Sequence, residues 1–413
     1  MGVDLSSVKV VTCPSGWKSS KIGQLYKFKN GLNKAKEFFG HGTPIVNYMD
    51  VYRNVHVSAH SLNGLVDVTK EELLNYGVKS CDLLFTRTSE TVEEIGLSST
   101  VIGNFENTVF SGFLLRGRPT DSSIDPIFAG YLFRSQAVRK SIQTTASYTT
   151  RALTNGRLLS EIEINYPPKI EQIKIAKVLA DLDKQIDWIS NLIEKKRAIK
   201  QAAMQQLLSG KTRLPGFSGK WVERTLGSLA DIQRGASPRP IDNPLWFSEN
   251  SIIGWVRISD VTSSTKFLNI SEQKLSVLGV KASRFVKAHS LIMSICATVG
   301  RPIITKIDVC IHDGFVVFRE PKVDLEYLYY FLSDIEKNWV KMGQTGSQMN
   351  LNTNLIKTTL IKFPEDKLEQ SAISQFLDSM DLDLNASQCK LEKLRLIKQG
   401  MMQELLTGRI RLL

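Results

Sequence analysis

An internal repeat constrains the fold of this 413-residue chain more than any other feature of its sequence. Residues 171 to 214 align without a gap with residues 369 to 412, at an offset of 198, and about 18 of these 44 positions are identical. Both copies begin with the dipeptide Glu-Gln and end with Leu-Leu-x-Gly. A fixed offset between similar segments is the signature of a duplicated structural unit. The sequence therefore predicts two copies of one plan.

Both copies have the apolar spacing of a long helix, with intervals of three and four residues that make a heptad seam. The predicted seam residues are Ile175, Leu179, Leu182, Ile186, Ile189, Ile193, Ile373, Leu377, Met380, Leu384, Leu391, Leu394, Met401 and Leu405. Pro167, Pro168 and Pro364 precede the helices, and Gly210 and Gly408 follow them, as expected for helix starts and stops. We predict two helices of about 38 residues, or about 57 Å each, that pack as one antiparallel coiled coil.

Two segments of about 150 residues, one before each helix, share weaker similarities. The first lobe has Trp17, Gly23, Leu25 and Gly31 where the second has Trp221, Gly227, Leu229 and Gly235. Short β-branched and aromatic runs separated by glycine and asparagine predict strands in both. The predicted class is α/β, with two mixed α/β domains and a pseudo-twofold internal repeat. The predicted bounds are 1–166 for the first lobe, 167–214 for the first helix, 215–363 for the second lobe and 364–413 for the second helix.

Composition and charge narrow the functional classes. With 42% hydrophobic and 23% charged residues, the chain has the composition of a globular protein. Its 53 basic and 41 acidic residues make a net charge of +12, which favours a polyanionic partner. Five scattered cysteines without a C-x-x-C spacing indicate a reducing compartment, not a disulfide framework or zinc ribbon. No apolar run reaches the roughly 18 residues of a membrane span, and no signal-peptide pattern is visible, so we expect a cytoplasmic protein.

Four sets of short motifs follow the same order along the chain. They are Gly16-Trp17 and Lys220-Trp221 at the lobe starts, the strand motifs at 44 to 50 and 255 to 260, the stretch from 346 to 351, and the two Glu-Gln helices. Together they resemble the specificity subunit of type I restriction-modification enzymes over essentially the whole chain. The first lobe departs from the pattern, because residues 147 to 153 replace the stretch seen at 346 to 351 in the second.

The resemblance implies that each lobe is a target recognition domain that reads one half of a bipartite site in double-stranded DNA. It implies that the helices set the spacer between the half-sites and dock two modification subunits, which are methyltransferases. Restriction subunits, with endonuclease and translocase activity, would join through the complex. S-adenosylmethionine, ATP and magnesium are then expected only in these partner subunits.

Candidate DNA-binding residues are polar or basic side chains near the motifs. Arginine can bind guanine O6 and N7 with two hydrogen bonds, and asparagine or glutamine can do the same with adenine. The candidates are Lys29, Asn47, Arg53, Arg87 and Arg151 in the first lobe, and Arg234, Arg239, Arg257, Gln344, Gln348 and Asn350 in the second. The alternative for each is a solvated side chain or a phosphate contact.

The basic side chains of the helices are Lys195, Lys196, Arg197, Lys200, Lys393, Arg395 and Lys398. They fit either a solvated face or a surface that contacts the spacer DNA or an acidic partner. The same two-lobed plan would also suit the competing functional class, a pseudo-symmetric protein-interaction scaffold without DNA specificity. Such a scaffold would leave the positive net charge unexplained.

Three motifs come close to a catalytic or metal signature, but each departs from it. Residues 165 to 168, Asn-Tyr-Pro-Pro, have the wrong order for the Asn-Pro-Pro-Tyr motif of amino-methyltransferases. The Gly-Lys-Thr at 210 to 212 has Gln205 where a P-loop requires its first glycine. His56 and His60 lack the glutamate that the zinc-protease pattern places beside the first histidine. The sequence thus predicts a chain without catalytic, cofactor or metal sites.

Overall fold

The computed structural model describes residues 13 to 148, 151 to 342 and 351 to 413. They fold into two compact units: the first consists of the described residues within Met1–Ser190 and Lys390–Leu413, and the second of those within Asn191–Cys389. The first unit therefore contains the first lobe, and the second unit contains the second lobe. Each unit also includes residues from both long helices.

The first lobe is built on a five-stranded sheet of order β2-β10-β6-β8-β4. Its strands are β1 (Lys18–Lys21), β2 (Tyr26–Asn30), β3 (Phe39–Val46), β4 (His56–Val57), β5 (Gly64–Val66), β6 (Leu83–Thr86), β7 (Thr88–Ser89), β8 (Ser98–Val101), β9 (Val109–Phe110), β10 (Leu114–Pro119), β11 (Ser147–Tyr148), β12 (Ala152–Leu153) and β13 (Glu163–Tyr166). Smaller sheets have the orders β5-β3-β9, β11-β12-β7 and β1-β13. All four residues of β6 are buried, as expected for a strand covered on both faces.

The helices before the repeat are α1 (Ile22–Leu25), α2 (Tyr48–Arg53), α3 (Lys70–Tyr76), α4 (Pro126–Leu132), α5 (Gln136–Thr145) and α6 (Gly156–Ser160), and the first long helix is α7 (Lys169–Leu208). Helix α4 begins at a proline, and the Asp125 side chain accepts hydrogen bonds from the first free backbone N–H groups. Its apolar face covers the five-stranded sheet, where Phe85 and Phe133 meet edge to face. This core also includes residues of α7, so the lobe and the helix share one hydrophobic interior.

The second lobe repeats the arrangement. Its strands are β14 (Trp221–Thr225), β15 (Asp231–Arg234), β16 (Gly254–Val256), β17 (Phe267–Leu268), β18 (Gln273–Lys274), β19 (Arg284–Val286), β20 (Leu291–Ser294), β21 (Pro302–Thr305), β22 (Val309–Ile311), β23 (Phe315–Arg319) and β24 (Leu360–Pro364). Its helices are α8 (Leu226–Leu229), α9 (Ile258–Ser263), α10 (Val277–Lys281), α11 (Leu325–Met342) and α12 (Thr353–Thr358), followed by the second long helix, α13 (Lys367–Leu405). The main sheet has the order β15-β23-β20-β21-β17, which matches the first lobe strand for strand.

In each unit the two long-helix segments run antiparallel. Asp183 of α7 pairs with Lys398 of α13 in the first unit, and Lys200 pairs with Asp381 in the second. All fourteen predicted seam residues are buried or half-buried. The predicted class, two mixed α/β lobes with an antiparallel pair of long helices, is confirmed.

The glycines after the helices also match between units. Gly210 and Gly408 have φ values of 71° and 72°, the left-handed conformation that commonly ends a helix. A Cβ atom at Gly210 would lie 3.0 Å from the ring of Trp221, and one at Gly408 would lie 3.0 Å from the ring of Trp17. The tryptophan that opens each lobe therefore packs on the glycine that follows a long helix.

Candidate nucleic-acid interface

Two of the predicted arginines meet at one turn of the second lobe, residues 312 to 314, which joins β22 to β23. Arg234 donates its Nε–H to the backbone oxygen of Asp313 at 2.7 Å, and Nη2 of Arg239 lies 3.4 Å from Asp313 Oδ2. Ser237 donates its hydroxyl to Oδ1 of the same carboxylate at 2.8 Å. The Arg239 side chain is 72% exposed, so its other N–H groups are available to a ligand.

The Asp313 carboxylate is stabilised in its ionised form. Partial burial opposes ionisation, but the hydrogen bond from Ser237 and the neighbouring His312 and Arg239 hold the pKa of Asp313 below its usual value. Burial lowers the pKa of His312, whose ring packs edge to face on Phe315 with centroids 4.8 Å apart. The His312 ring therefore packs on the lobe beneath the turn, and the Asp313 carboxylate binds Ser237 and Arg239 on the exposed side.

Arg257 lies apart from this turn, at the start of α9. Its backbone N–H donates to Asp260 Oδ2 at 2.9 Å, in the manner of a helix N-cap. Its guanidinium forms an ion pair with Glu272, and Asp260 Oδ1 is 3.8 Å away. The side chain is 38% exposed, and its buried Nε has no hydrogen-bond partner among the described residues. Two carboxylates therefore already offset the charge that was predicted to meet DNA.

Asn47 is the counterpart of Arg257 in the first lobe, because it caps α2 in the same way. Its backbone N–H donates to Asp50 Oδ2 at 2.8 Å. Arg53 is exposed at the end of the same helix. Lys29 donates to Asn75 Oδ1 at 3.2 Å and is half-buried. These three candidates do not share a contact residue, whereas Arg234 and Arg239 of the second lobe both contact Asp313, through its backbone oxygen and its carboxylate respectively.

Arg151 lines an open cleft of the first lobe, and Arg87 precedes Thr88, another residue of the cleft wall. Arg87 is half-buried, and its backbone N–H donates to the carbonyl of Phe113 at 2.9 Å. Arg151 is exposed and lines the cleft together with Tyr48 and Phe113. Phe113 is 61% exposed, so its ring is accessible from the cleft. Gln344, Gln348 and Asn350, the remaining candidates, lie outside the described residues.

The Glu-Gln dipeptides attach the long helices to their surroundings. Glu171 is 3% exposed and binds Arg411 through two bonds of 2.8 Å, and Glu369, at 0% exposure, binds Arg213 in the same bidentate manner. Each ion pair joins the start of one long helix to the segment just after the other. Bidentate arginine–carboxylate pairs are among the strongest of charged hydrogen bonds.

The glutamine of each dipeptide binds the adjacent lobe. Gln172 accepts a hydrogen bond from the Asp125 backbone N–H at 2.7 Å, and Gln370 does the same with Asp324 at 2.7 Å. Both side-chain amides also donate, at 2.8 Å, to a proline carbonyl just before their helix. In the sequence the Glu-Gln dipeptide marks the repeat, but its pattern did not predict these contacts.

Several basic side chains of the helices are engaged in ion pairs within the units. Tyr131 donates its hydroxyl to Asp183 at 2.7 Å, and Lys398 pairs with the same carboxylate. Tyr330, Asp381 and Lys200 repeat the arrangement in the second unit, and Lys196 pairs with Asp383. Burial raises the pKa of both tyrosines. These pairings were predicted by neither interpretation of the basic residues, a solvated face or a surface that contacts the spacer DNA or an acidic partner.

Among the described residues, no three His, Cys, Asp or Glu side chains are grouped so that they could hold a metal ion. Within the same part of the chain, every helix is too short or too polar to cross a lipid bilayer. The five cysteines are free thiols. His56 lies in β4, where its Nε2 is 2.9 Å from the carbonyl oxygen of Ile127.

Three kinds of comparison with known proteins agree with one another: a family model, curated relatives and solved structures. A family model described as the type I restriction modification DNA specificity domain matches the chain twice, over residues 14–196 and 218–394. The type I restriction enzyme MjaVIII specificity subunit of Methanocaldococcus jannaschii is 22% identical, over 96% of this chain and 94% of that protein.

Two solved structures share the fold at 16% sequence identity. The S subunit of a type I restriction-modification system from M. genitalium matches with a TM-score of 0.57, over 94% of this chain and 96% of that one. A chain from a structural study of complex assembly in the type I R-M system matches with a TM-score of 0.62, over 96% and 99% of the two chains.

Proposed function

The chain belongs to the family of type I restriction-modification DNA specificity domains, and on that premise we propose that each of its lobes reads one half of a bipartite DNA site. The observation that best supports this proposal is the duplication of one scaffold with different exposed side chains. The two main sheets have the same strand order, yet Phe113 is exposed in the first lobe and Asp313 with its arginines in the second. Similar scaffolds with different surfaces suit the recognition of two different half-sites.

The long helices supply the spacing in this proposal. Helix α7 contains 40 residues and α13 contains 39, so each is about 60 Å long at 1.5 Å per residue. Half-sites one helical turn of DNA apart are separated by about 34 Å, which is within the length of such helices. Buried ion pairs at both helix starts would keep the two helices in one register.

The partners follow from the same premise. Two copies of a modification subunit bind, one to each half, because equivalent surfaces bind equivalent partners. Restriction subunits join through that complex, and S-adenosylmethionine, ATP and magnesium bind in the partner subunits. The chain itself is a recognition subunit and performs no chemistry, and it acts where the DNA is, in the cytoplasm.

Salt dependence separates this function from that of a protein-interaction scaffold. We expect binding of the full-length chain to random-sequence duplex DNA to weaken steeply between about 50 and 200 mM salt, because displaced counterions return to the DNA. With six or more phosphate contacts the loss would be about a thousandfold or greater. Gel-shift titration at several salt concentrations measures this slope. A scaffold without DNA function would show no salt-dependent affinity for the duplex.

Replacement of Arg257 by alanine tests whether the lobes act separately. In the proposed complex the Arg257 guanidinium exchanges its ion pair with Glu272 for a contact with DNA. We expect loss of this contact to relax selectivity in one half-site, at a cost of about 1 to 3 kcal/mol if it is to a base, and to leave the other half-site unchanged. Glu272→Ala is the matched control: it removes the competing carboxylate and should strengthen the contact. Competition binding with single-base variants of the selected site measures both effects. Equal losses in both half-sites would contradict the division between the lobes.

A further inference from the structure

The turn after β9 in the first lobe and the turn after β22 in the second have the same backbone hydrogen bonds. In each turn, the backbone N–H of the residue that follows the turn donates to the carbonyl of the first turn residue. The backbone N–H of a residue just after a neighbouring strand donates to the carbonyl of the last turn residue. These bonds are Leu114 to Ser111 at 2.9 Å and Arg87 to Phe113 at 2.9 Å, matched by Phe315 to His312 at 3.0 Å and Ile295 to Gly314 at 2.8 Å. The two turns are therefore equivalent positions of one scaffold.

A glycine holds each turn against the strand that ends beside it. A Cβ atom at Gly31 would overlap the carbonyl oxygen of Ser111, and one at Gly235 would overlap that of His312. This close approach of two backbones requires glycine in both lobes. The scaffold thus places residues 111 to 113 and 312 to 314 with little freedom of the backbone.

The side chains on these rigid turns are different. The first turn presents Phe113, which is 61% exposed beside Tyr48 and Arg151. The second presents Asp313, whose side chain is 47% exposed and binds Ser237 and Arg239. By the matched hydrogen bonds, Phe113 is the third residue of its turn and Asp313 is the second residue of its turn. One turn backbone thus presents an exposed side chain from a different position in each lobe, which suits two modules that read different sequences.

We propose that these two turns are the base-reading turns of the lobes, with Phe113 contacting a thymine methyl group and Asp313 positioning Arg239 for a guanine. This inference rests on the proposed function and names the side chains that give it specificity. Phenylalanine has no hydrogen bond to offer, and the 5-methyl group of thymine is the apolar feature of the major groove. Asp313 holds one side of the Arg239 guanidinium, which leaves a pair of N–H donors for guanine O6 and N7.

Base analogues test each contact one atom at a time. The full-length chain, co-purified with its host modification subunit, first selects its site from a random library. Deoxyuridine is then substituted for each thymine, and 7-deazaguanine for each guanine. We expect one deoxyuridine position in one half-site to weaken wild-type binding about fourfold, the effect of one methyl group. We expect one 7-deazaguanine position in the other half-site to weaken it about fivefold or more.

The variants assign these atoms to side chains. Phe113→Ala should no longer distinguish thymine from deoxyuridine and should leave the guanine half-site unchanged. Arg239→Ala should no longer distinguish guanine from 7-deazaguanine, and Asp313→Ala should reduce the same discrimination in part. Arg239 is 72% exposed, so its replacement leaves the turn intact even if Asp313→Ala disturbs it. Phe113→Ala serves as the control for the guanine contact, and Arg239→Ala serves as the control for the thymine contact.

The outcomes separate the inference from the function on which it rests. If a bipartite site is selected but all three variants discriminate the analogues as wild type does, the turns are not base-reading and the proposed function stands. A uniform loss of affinity in Arg239→Ala, with discrimination retained, would assign that side chain to phosphate and overturn its guanine contact. Failure of the wild-type complex to select any site would instead contradict the proposed function.

Discussion

Replacing Arg213 by alanine is expected to lower the free energy of unfolding of the second unit by about 3 to 5 kcal/mol. Glu369 is 0% exposed and binds Arg213 with both carboxylate oxygens, so the substitution leaves a buried charge without its partner. Arg411→Ala should destabilise the first unit similarly, because it leaves Glu171 unpaired at 3% exposure. Urea denaturation of the full-length chain, with circular dichroism of each variant, measures the loss.

A matched control lies two residues from Arg411. Arg409 forms an ion pair with Glu404 at 3.3 Å, but its side chain is 61% exposed, so Arg409→Ala should cost less than about 1 kcal/mol. Replacing Arg213 and Glu369 together by methionine and leucine should recover most of the stability, since no charge is then buried alone. If Arg213→Ala unfolds at the same urea concentration as Arg409→Ala, the anchoring role of the Glu-Gln dipeptide is wrong.

The first-unit pair also predicts a pH dependence. The hydrogen bonds from Arg411 lower the pKa of Glu171 below that of a free glutamate. A carboxylate with a depressed pKa in the folded state contributes stability above its unfolded pKa, and this contribution is lost as the pH falls through the folded pKa. Arg411→Ala should therefore reduce the acid sensitivity of stability in that range.

The repeat made the architecture predictable. Two similar long helices, each preceded by a strand-rich lobe, can pack together in only a few ways. The pairing of charges across the helices was not predicted, although its signal was present. Asp183, Lys200 and their counterparts at 381 and 398 are identical between the repeats, as are the anchoring glutamates and arginines. Their partners become apparent only when the helices are set antiparallel in the observed register.

The candidate interface was predicted in part. The candidates were chosen as polar or basic side chains near the motifs. This choice included Arg234 and Arg239, which both contact Asp313 in the structure. The same choice did not include Asp313 and Phe113, which we propose as base-reading residues, because an acidic or apolar side chain is not an obvious ligand for DNA. It also included Asn47, whose backbone caps α2. The equivalence of the two turns depends on strand pairing between residues about 80 apart, such as Leu115 with Asn30, which local sequence patterns do not specify.

Inserting one heptad into each long helix is expected to lengthen the spacer of the preferred DNA site by about three base pairs. Seven residues after Ile189 and seven after Ser387 keep the apolar seam in phase and extend each helix by about 10.5 Å. At about 3.4 Å per base pair this equals three base pairs. The second half-site would also be rotated by about 100° around the duplex, which the matching advance along the DNA accommodates.

Selection of bound sites from a library with randomised half-sites and spacers, by the wild-type chain and by the heptad variant, tests the central claim most directly. Each protein is co-purified with the host modification subunit, and an insertion of seven residues in α7 alone serves as the mismatched control. We predict the same two half-sites for both proteins, with a spacer about three base pairs longer for the heptad variant and no selected site for the control. A single contiguous site, or an unchanged spacer in the heptad variant, would contradict the account in which two lobes read DNA at a distance set by the helices.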